Sequence, residues 1–133
     1  MTRDTDRSIH DPDVTTIKNQ KISDMKNRLS LVNESRLTIS IHENHFPQTQ
    51  YFGTQIFYGV TNAESALLAD TVRKSVIGLL QPENTRELKK GTKDIYLLHN
   101  AKVPIILVEC GFLSNTAELQ KLYVAPEAQR RGI

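Results

Sequence analysis

A continuous apolar run, Pro104-Ile-Ile-Leu-Val108, is followed directly by Glu109. Such a run is typical of a strand that other elements cover on both faces. We therefore predict a buried strand that ends in a carboxylate at Glu109, with Gly111 supplying a tight turn. Burial in apolar surroundings disfavours the charged form of a carboxyl group, so its pKa rises toward the range of a useful general base.

A second strand with a chemically useful end is predicted upstream. Leu37, Ile39 and Ile41 alternate with polar residues, and this period of two indicates a strand. His42 stands at its C-terminal end, and residues 42–50 form a polar loop. An imidazole on a rigid strand end is a good zinc ligand, because its second nitrogen can be held by a neighbouring group.

Helical periodicity precedes, separates and follows these strands. Apolar residues recur at steps of three and four within residues 18–33, and again within residues 68–79, before Pro82. A last helix is predicted over residues 115–122. Capping-box spacing marks the starts of the second and last helices, at Thr61 with Glu64 and at Asn115 with Glu118.

Two further short strands are predicted, over residues 53–58 and 95–98. Strands that alternate with helices indicate an α/β fold with a twisted, mainly parallel sheet flanked by helices. In such sheets chemistry lies beyond the C-terminal ends of the strands, which brings His42 and Glu109 together as parts of a possible metal-assisted hydrolase. An ordinary strand-end histidine and a capping or salt-bridged carboxylate fit the same pattern, so the residues alone leave both interpretations open.

The bulk composition limits the other possibilities. At 133 residues the chain is at most one domain, and no window approaches the run of about 18 apolar residues that a membrane span needs. The net charge of +2 is too small and too dispersed to indicate nucleic-acid binding. The single cysteine, Cys110, excludes an internal disulfide and a cysteine-built zinc site. The polar start has no apolar signal-peptide core, so either the protein stays in the cell or an export signal lies upstream.

Five segments carry a family resemblance, in the correct order from residue 2 to residue 122. Ser40-Ile-His-Glu-Asn44 is similar to an S-I-H-x-N motif, and PIILVECGFLSN at residues 104–115 resembles P-x-x-L-V-E-x-G-F-L-S-N. The other three are a T-R-x-x-D stretch at residues 2–6, an R-x-x-x-x-N pattern at Arg28 and Asn33, and a Gly-Thr strand over residues 53–58. Together they resemble the zinc-dependent N-acetylmuramoyl-L-alanine amidases, which cut peptidoglycan.

The resemblance implies roles for particular residues. His42 is then a zinc ligand, Glu109 the catalytic carboxylate and Asn44 a substrate-binding residue. Zn²⁺ is the implied cofactor, peptidoglycan the partner and the bacterial cell envelope the location. Asn84-Thr-Arg86, followed by residues 95–98, is similar to the subgroup that acts in spore-cortex formation and germination.

The resemblance also implies that residues 1–133 form a single, incomplete amidase catalytic domain, truncated at its N-terminus. The family's other two protein ligands, a histidine in an H-G-G motif and a glutamate on the next helix, lie upstream of T-R-x-x-D, and this sequence has no H-G-G. His10 and His45 are not expected to replace them. Without the upstream strand and helix, the sheet is expected to present an unpaired edge and bare apolar surface around Ile39 and Ile106.

Two other classes of function stay open beside the amidase. One is a catalytically inactive, wall-binding or regulatory remnant of such an enzyme, and the other is a zinc peptidase that cuts an ordinary peptide bond. Residues 122–133, LYVAPEAQRRGI, resemble the acetyl-CoA-binding strand and loop of an acetyltransferase family. The helix that such a loop needs does not follow in this sequence, so the amidase interpretation is preferred.

Overall fold

The computed structural model describes Thr5 and residues 7–123. In chain order its elements are α1 (Ile17–Asn33), β1 (Thr38–Asn44), β2 (Gln55–Tyr58), α2 (Glu64–Leu79), β3 (Lys89–Lys90), α3 (Tyr96–Asn100), β4 (Ile105–Phe112) and α4 (Thr116–Tyr123). The three predicted helices are thus found as α1, α2 and α4. No helix in this part of the chain is both long and apolar enough to cross a membrane. The T-R-x-x-D stretch, apart from Thr5, and residues 124–133 of the acetyltransferase-like segment lie outside the described residues.

A four-stranded sheet forms the centre of the described part, in the order β1-β4-β2-β3. β1 runs parallel to β4 and β2 runs parallel to β3, whereas β2 and β4 are antiparallel. The sheet is therefore mixed, with most of its pairings parallel, and the predicted α/β class is confirmed. Helices cover both faces of β4, which explains why its apolar run is continuous.

Each face of the sheet packs against its own helices. On one face Ile105 joins Leu98 of α3 and Val32 of α1 in a buried cluster. On the other face Ile106 packs with Ala69 of α2 in a second cluster. Because α2 covers it, Ile106 is 0% exposed, and the expectation of bare apolar surface at this residue is wrong.

Strand β1 has one open edge. It pairs with β4, and no second partner strand is present among the described residues. Ile39 is 44% exposed and Ile41 is 72% exposed, so the expected apolar surface is found at Ile39. The uncharged stretch from Ile39 to Ile41 on this edge is open to pairing with another strand.

The predicted strand over residues 95–98 is wrong. Its residues lie at the start of α3, with the backbone N–H of His99 donating to the carbonyl of Ile95 at 3.1 Å. Leu98 is 1% exposed and is buried against Val32. Short apolar runs do not distinguish a strand from a buried helical turn, and tertiary packing decides between them here.

The predicted capping box at the start of α2 is also wrong. The side chain of Asn62, and not that of Thr61, accepts the backbone N–H of Glu64, at 2.9 Å. The Thr61 hydroxyl instead donates to the carbonyl of His99 at 3.0 Å. The Thr61 hydroxyl, which the local pattern assigns to the cap of α2, therefore bonds α3 instead.

Candidate active site

His42 and Glu109 lie side by side on neighbouring strands. The parallel register of β1 and β4 places Thr38 opposite Ile105 and His42 opposite Glu109. Paired residues point to the same face of a sheet, so both side chains project from the face that α1 and α3 cover further down the strands. The structure thus brings the two predicted residues together, while their chemical roles stay predictions.

Neither strand ends where the sequence pattern placed its end. β1 continues to Asn44 and β4 continues to Phe112, so Glu109 lies within a strand and Gly111 is not a turn residue. Gly111 is needed for a different reason. A Cβ atom at this position would lie 2.9 Å from Oε2 of Glu118.

A β-bulge shapes the site. The register shifts between the His42–Glu109 pair and the next pair, Asn44–Phe112, so two residues of β4 oppose the single residue Glu43 of β1. Glu109 and Phe112 are three positions apart and would point to opposite faces of a regular strand, but the bulge places both on the same face. Glu43 points to the opposite face, where burial first, and the charge of Glu118 second, raise the pKa of Glu43.

The carboxylate of Glu109 is half-buried and directly held. The side-chain amide of Asn44 donates to its Oε2 at 2.5 Å. Burial raises the pKa of Glu109, while the Asn44 hydrogen bond and the nearby side chains of His42, Lys89 and Arg86 oppose that rise. A carboxylate whose pKa is raised is suited to taking and returning a proton. Asn44 thus bonds a site residue, and its predicted contact with substrate stays a prediction.

His42 is exposed at the open edge of the sheet. One of its ring nitrogens, Nε2, lies 3.0 Å from the hydroxyl of Ser40. Catalytic zinc takes three protein ligands and one open position. Residues 7–123 contain no group of three or more histidine, cysteine and carboxylate side chains that could hold a metal. The described residues therefore do not by themselves fit a catalytic zinc ion.

Arg86 is a site residue that the sequence pattern did not single out for chemistry. Its guanidinium stacks over the ring of Phe112, with Cζ 4.5 Å from the ring centroid, and lies 5.5 Å from that of Tyr51. Nε donates to the carbonyl of Phe52 at 2.7 Å, and Nη1 lies 3.4 Å from the side-chain oxygen of Gln55. Gln55 is the residue of β2 opposite Glu109, so Arg86 lies one strand away from that carboxylate.

Glu118 holds the C-terminal end of β4 in place next to the site. Its side chain is buried, and Oε2 accepts the backbone N–H of Gly53 at 3.0 Å and of Phe112 at 3.3 Å. The predicted cap is found in part, since the side chain of Asn115 accepts the N–H of Ala117 and of Glu118 at 3.0 and 3.1 Å. Glu118 does not reach back to complete a capping box, because two buried amides elsewhere use its carboxylate.

A half-buried carboxylate, a neighbouring imidazole and a fixed guanidinium on one sheet face form an arrangement suited to hydrolysis. The model of the N-acetylmuramoyl-L-alanine amidase family matches residues 1–130. The chain belongs to this family, as the resemblance of its motifs predicted.

Relatives of known identity agree with this assignment. The germination-specific N-acetylmuramoyl-L-alanine amidase of Bacillus subtilis is 35% identical over 120 residues, which are 89% of this chain and 50% of that protein. The CwlD amidase of Clostridioides difficile, solved in complex with the GerS lipoprotein, superimposes with a TM-score of 0.81 at 34% identity, covering 92% of this chain and 63% of that one. A second amidase structure, from Clostridium difficile 630, gives a TM-score of 0.67 at 27% identity, covering 74% of this chain and 54% of that one. The chain thus spans about half the length of the curated relative.

Proposed function

We propose that this chain contributes to hydrolysis of the amide bond between the lactyl group of N-acetylmuramic acid and L-alanine of the stem peptide. The observation that carries the proposal is the pairing of His42 with Glu109 on one sheet face, in a chain of the amidase family. Family membership supplies the reaction, and the geometry supplies a group able to perform its proton transfers.

Glu109 is proposed as the general base and acid. Its carboxylate would accept a proton from the attacking water as the new carbon–oxygen bond forms. The same proton would then pass to the leaving amine of L-alanine as the carbon–nitrogen bond breaks. The hydrogen bond from Asn44 supports this role, because it fixes the direction of the carboxylate without removing its second oxygen.

His42 is proposed as one ligand of the zinc ion that the family resemblance implies. A single histidine does not hold zinc tightly. The proposal therefore requires further ligands from groups other than the described residues, as the family supplies from its H-G-G and glutamate segments. Activity of the chain by itself is not part of the proposal.

The substrate is proposed to be spore-cortex peptidoglycan, with action outside the cytoplasm. One similarity supports this choice, since the Bacillus subtilis relative is germination-specific. The CwlD amidase was solved in complex with a lipoprotein. A lipoprotein partner is proposed for this chain on that ground. Comparing cleavage of cortex peptidoglycan with that of vegetative wall peptidoglycan tests the substrate, and equal rates on both would contradict it.

The test of catalysis uses a chimera in which an H-G-G segment and a glutamate segment of the family precede residue 1. Release of stem peptides from peptidoglycan is followed by mass spectrometry, and bound zinc is measured in parallel. Glu109→Gln should lower the rate about 10²–10⁴-fold, the usual cost of removing a general base, with little loss of zinc. His42→Ala should lose both activity and zinc.

Glu43→Gln is the matched control, since Glu43 lies beside His42 but points to the other face of the sheet. It should leave the rate within a few-fold of the parent. Loss of zinc from Glu109→Gln as complete as that from His42→Ala would make Glu109 a ligand and refute the assigned role. A chimera that binds peptidoglycan without cutting it would favour the wall-binding alternative.

A further inference from the structure

The guanidinium of Arg86 has unused donors. Arginine carries five N–H groups; Nε is used by Phe52, and Nη1 makes one long contact to Gln55. Within residues 7–123, the ion pairs of 4.0 Å or less do not include Arg86. The charge of Arg86 acts on Glu109, but its guanidinium makes no direct ion pair with a described carboxylate, which leaves donors available for a ligand.

The guanidinium is also held in one orientation. Its Cζ lies over the buried ring of Phe112 and near the ring of Tyr51, and Nε donates to the carbonyl of Phe52. These contacts leave Nη2 and one hydrogen of Nη1 without a partner among the described residues. A planar fork with fixed orientation is the geometry that binds a carboxylate through two parallel hydrogen bonds.

Position connects this fork to the proposed chemistry. Gln55, which Arg86 contacts, stands opposite Glu109 on the neighbouring strand. Lys89 follows on β3, exposed, with its ammonium group 5.8 Å from the ring centroid of Phe57. The site therefore has imidazole on one side of Glu109 and two cations on the other. Both cations act on Glu109 through their charge, but neither lies within 4.0 Å of a carboxylate among the described residues.

We propose that Arg86 binds a free carboxylate of the stem peptide and thereby sets the scissile amide beside Glu109, with Lys89 adding positive charge to the same subsite. The identity of the ligand rests on the proposed amidase function, whereas its chemical class, a carboxylate, rests on the fork and its position. Arg86 is in this sense a substrate-positioning residue and not a proton-transfer group.

A purely structural role of Arg86 would lead to a different experimental result. If Arg86 only ties the loop at Phe52 to the end of β4, its loss would weaken folding and would affect charged and uncharged ligands equally. Two probes separate these cases, N-acetylmuramoyl-L-alanyl-D-glutamate and its diamide. They share the scissile bond and differ in their carboxylates.

Binding of both probes to the 133-residue chain is measured by isothermal titration calorimetry and by NMR shifts. The diacid should bind at least about tenfold more tightly than the diamide, as expected for charge-assisted hydrogen bonds. Arg86→Gln should remove that preference, and Arg86→Lys should restore part of it through charge without the fork. Lys74→Gln, which removes an exposed lysine paired with Asp70 on α2, controls for net charge and should change nothing.

The outcomes decide the matter in either direction. Equal binding of diacid and diamide, no measurable binding of the diacid at millimolar concentration, or an equal effect of Lys74→Gln would overturn the proposal. If Arg86→Gln does not fold, Arg86→Lys takes its place, and a diacid preference that is unchanged in Arg86→Lys would overturn the proposal. If the chain prefers the diacid in an Arg86-dependent way but the chimera hydrolyses neither probe, the amidase function is refuted and the subsite is not. If the chimera hydrolyses both probes with equal kcat/KM, the subsite alone is refuted.

Discussion

Replacing Glu118 by alanine tests how the end of β4 is held. Glu118 is 6% exposed and its Oε2 accepts two backbone N–H groups, those of Gly53 and Phe112. Alanine would leave both amides without this acceptor, at about 1–3 kcal/mol for each buried group. Loss of the contact to Lys121, 4.0 Å away and exposed, adds little. Relief from burying a charge offsets part of the cost, so we expect a net loss of about 2–4 kcal/mol in the free energy of unfolding.

The control for this variant is Glu118→Gln. Both N–H bonds reach the same oxygen, so the amide oxygen of glutamine can accept both, and the loss should be about 1 kcal/mol. Glu83→Ala, which removes the other partner of Lys121 at an exposed position, should cost less than about 0.5 kcal/mol. Urea unfolding followed by circular dichroism gives the three values, provided that the slopes agree. An alanine variant within about 0.5 kcal/mol of the parent would refute the claim that Glu118 braces the strand.

Three further outcomes are expected. Leu98→Ala should cost about 2–5 kcal/mol in the same urea assay, because Leu98 is 1% exposed between α1 and the sheet; a loss below about 1 kcal/mol would mean that α3 is not part of the core. Glu109→Gln should stabilise the chain at neutral pH but not at a pH below 4.5, the ordinary pKa of a glutamate. Burial raises the pKa of Glu109, so the stability that the protonated carboxyl group contributes is lost as the pH rises through that raised pKa. An equal gain in stability at both pH values would show that charge is not the cause. Dialysed against micromolar zinc, the chain should retain far less than one equivalent, and near-stoichiometric zinc that disappears in both His42→Ala and His45→Ala would indicate a rebuilt site.

Periodicity was enough to predict the layers of the fold. The alternation of Leu37, Ile39 and Ile41 and the continuous run over residues 104–108 correctly predicted the two strands that carry the site. The continuous run reflects burial between two helical layers. The alternation in β1 places its apolar side chains on one face, although Ile39 and Ile41 are 44% and 72% exposed there. The predicted ends are wrong because the two strands pair with each other as far as Asn44 and Phe112, beyond the point where the apolar pattern stops.

The parts that sequence could not predict depend on distant contacts. α3 is helical because Leu98 fits between α1 and the sheet, a fact that the tetrapeptide at residues 95–98 does not contain. Glu118 lies at capping distance from Asn115, yet its carboxylate bonds Gly53, 65 residues away in sequence. The sequence shows Arg86 only as part of the Asn84-Thr-Arg86 motif and does not indicate a role in the site. Its position over the ring of Phe112 depends on the register of another strand.

The bulge in β4 brings Glu109 and the ring of Phe112, over which Arg86 lies, to the same face of the sheet. Without the extra residue, Phe112 would point to the α2 side, and the surface under the Arg86 guanidinium would be lost from the face that carries Glu109. With it, the strand presents the proposed base and the support for the proposed carboxylate-binding group on the same face. Glu118 accepts the amide of Phe112 at the end of this irregular stretch, and Gly111 leaves room for its carboxylate. The stability test on Glu118 and the binding test on Arg86 are therefore linked: an alteration that loosens Phe112 should weaken binding of the diacid probe more than that of the diamide, even with Arg86 intact.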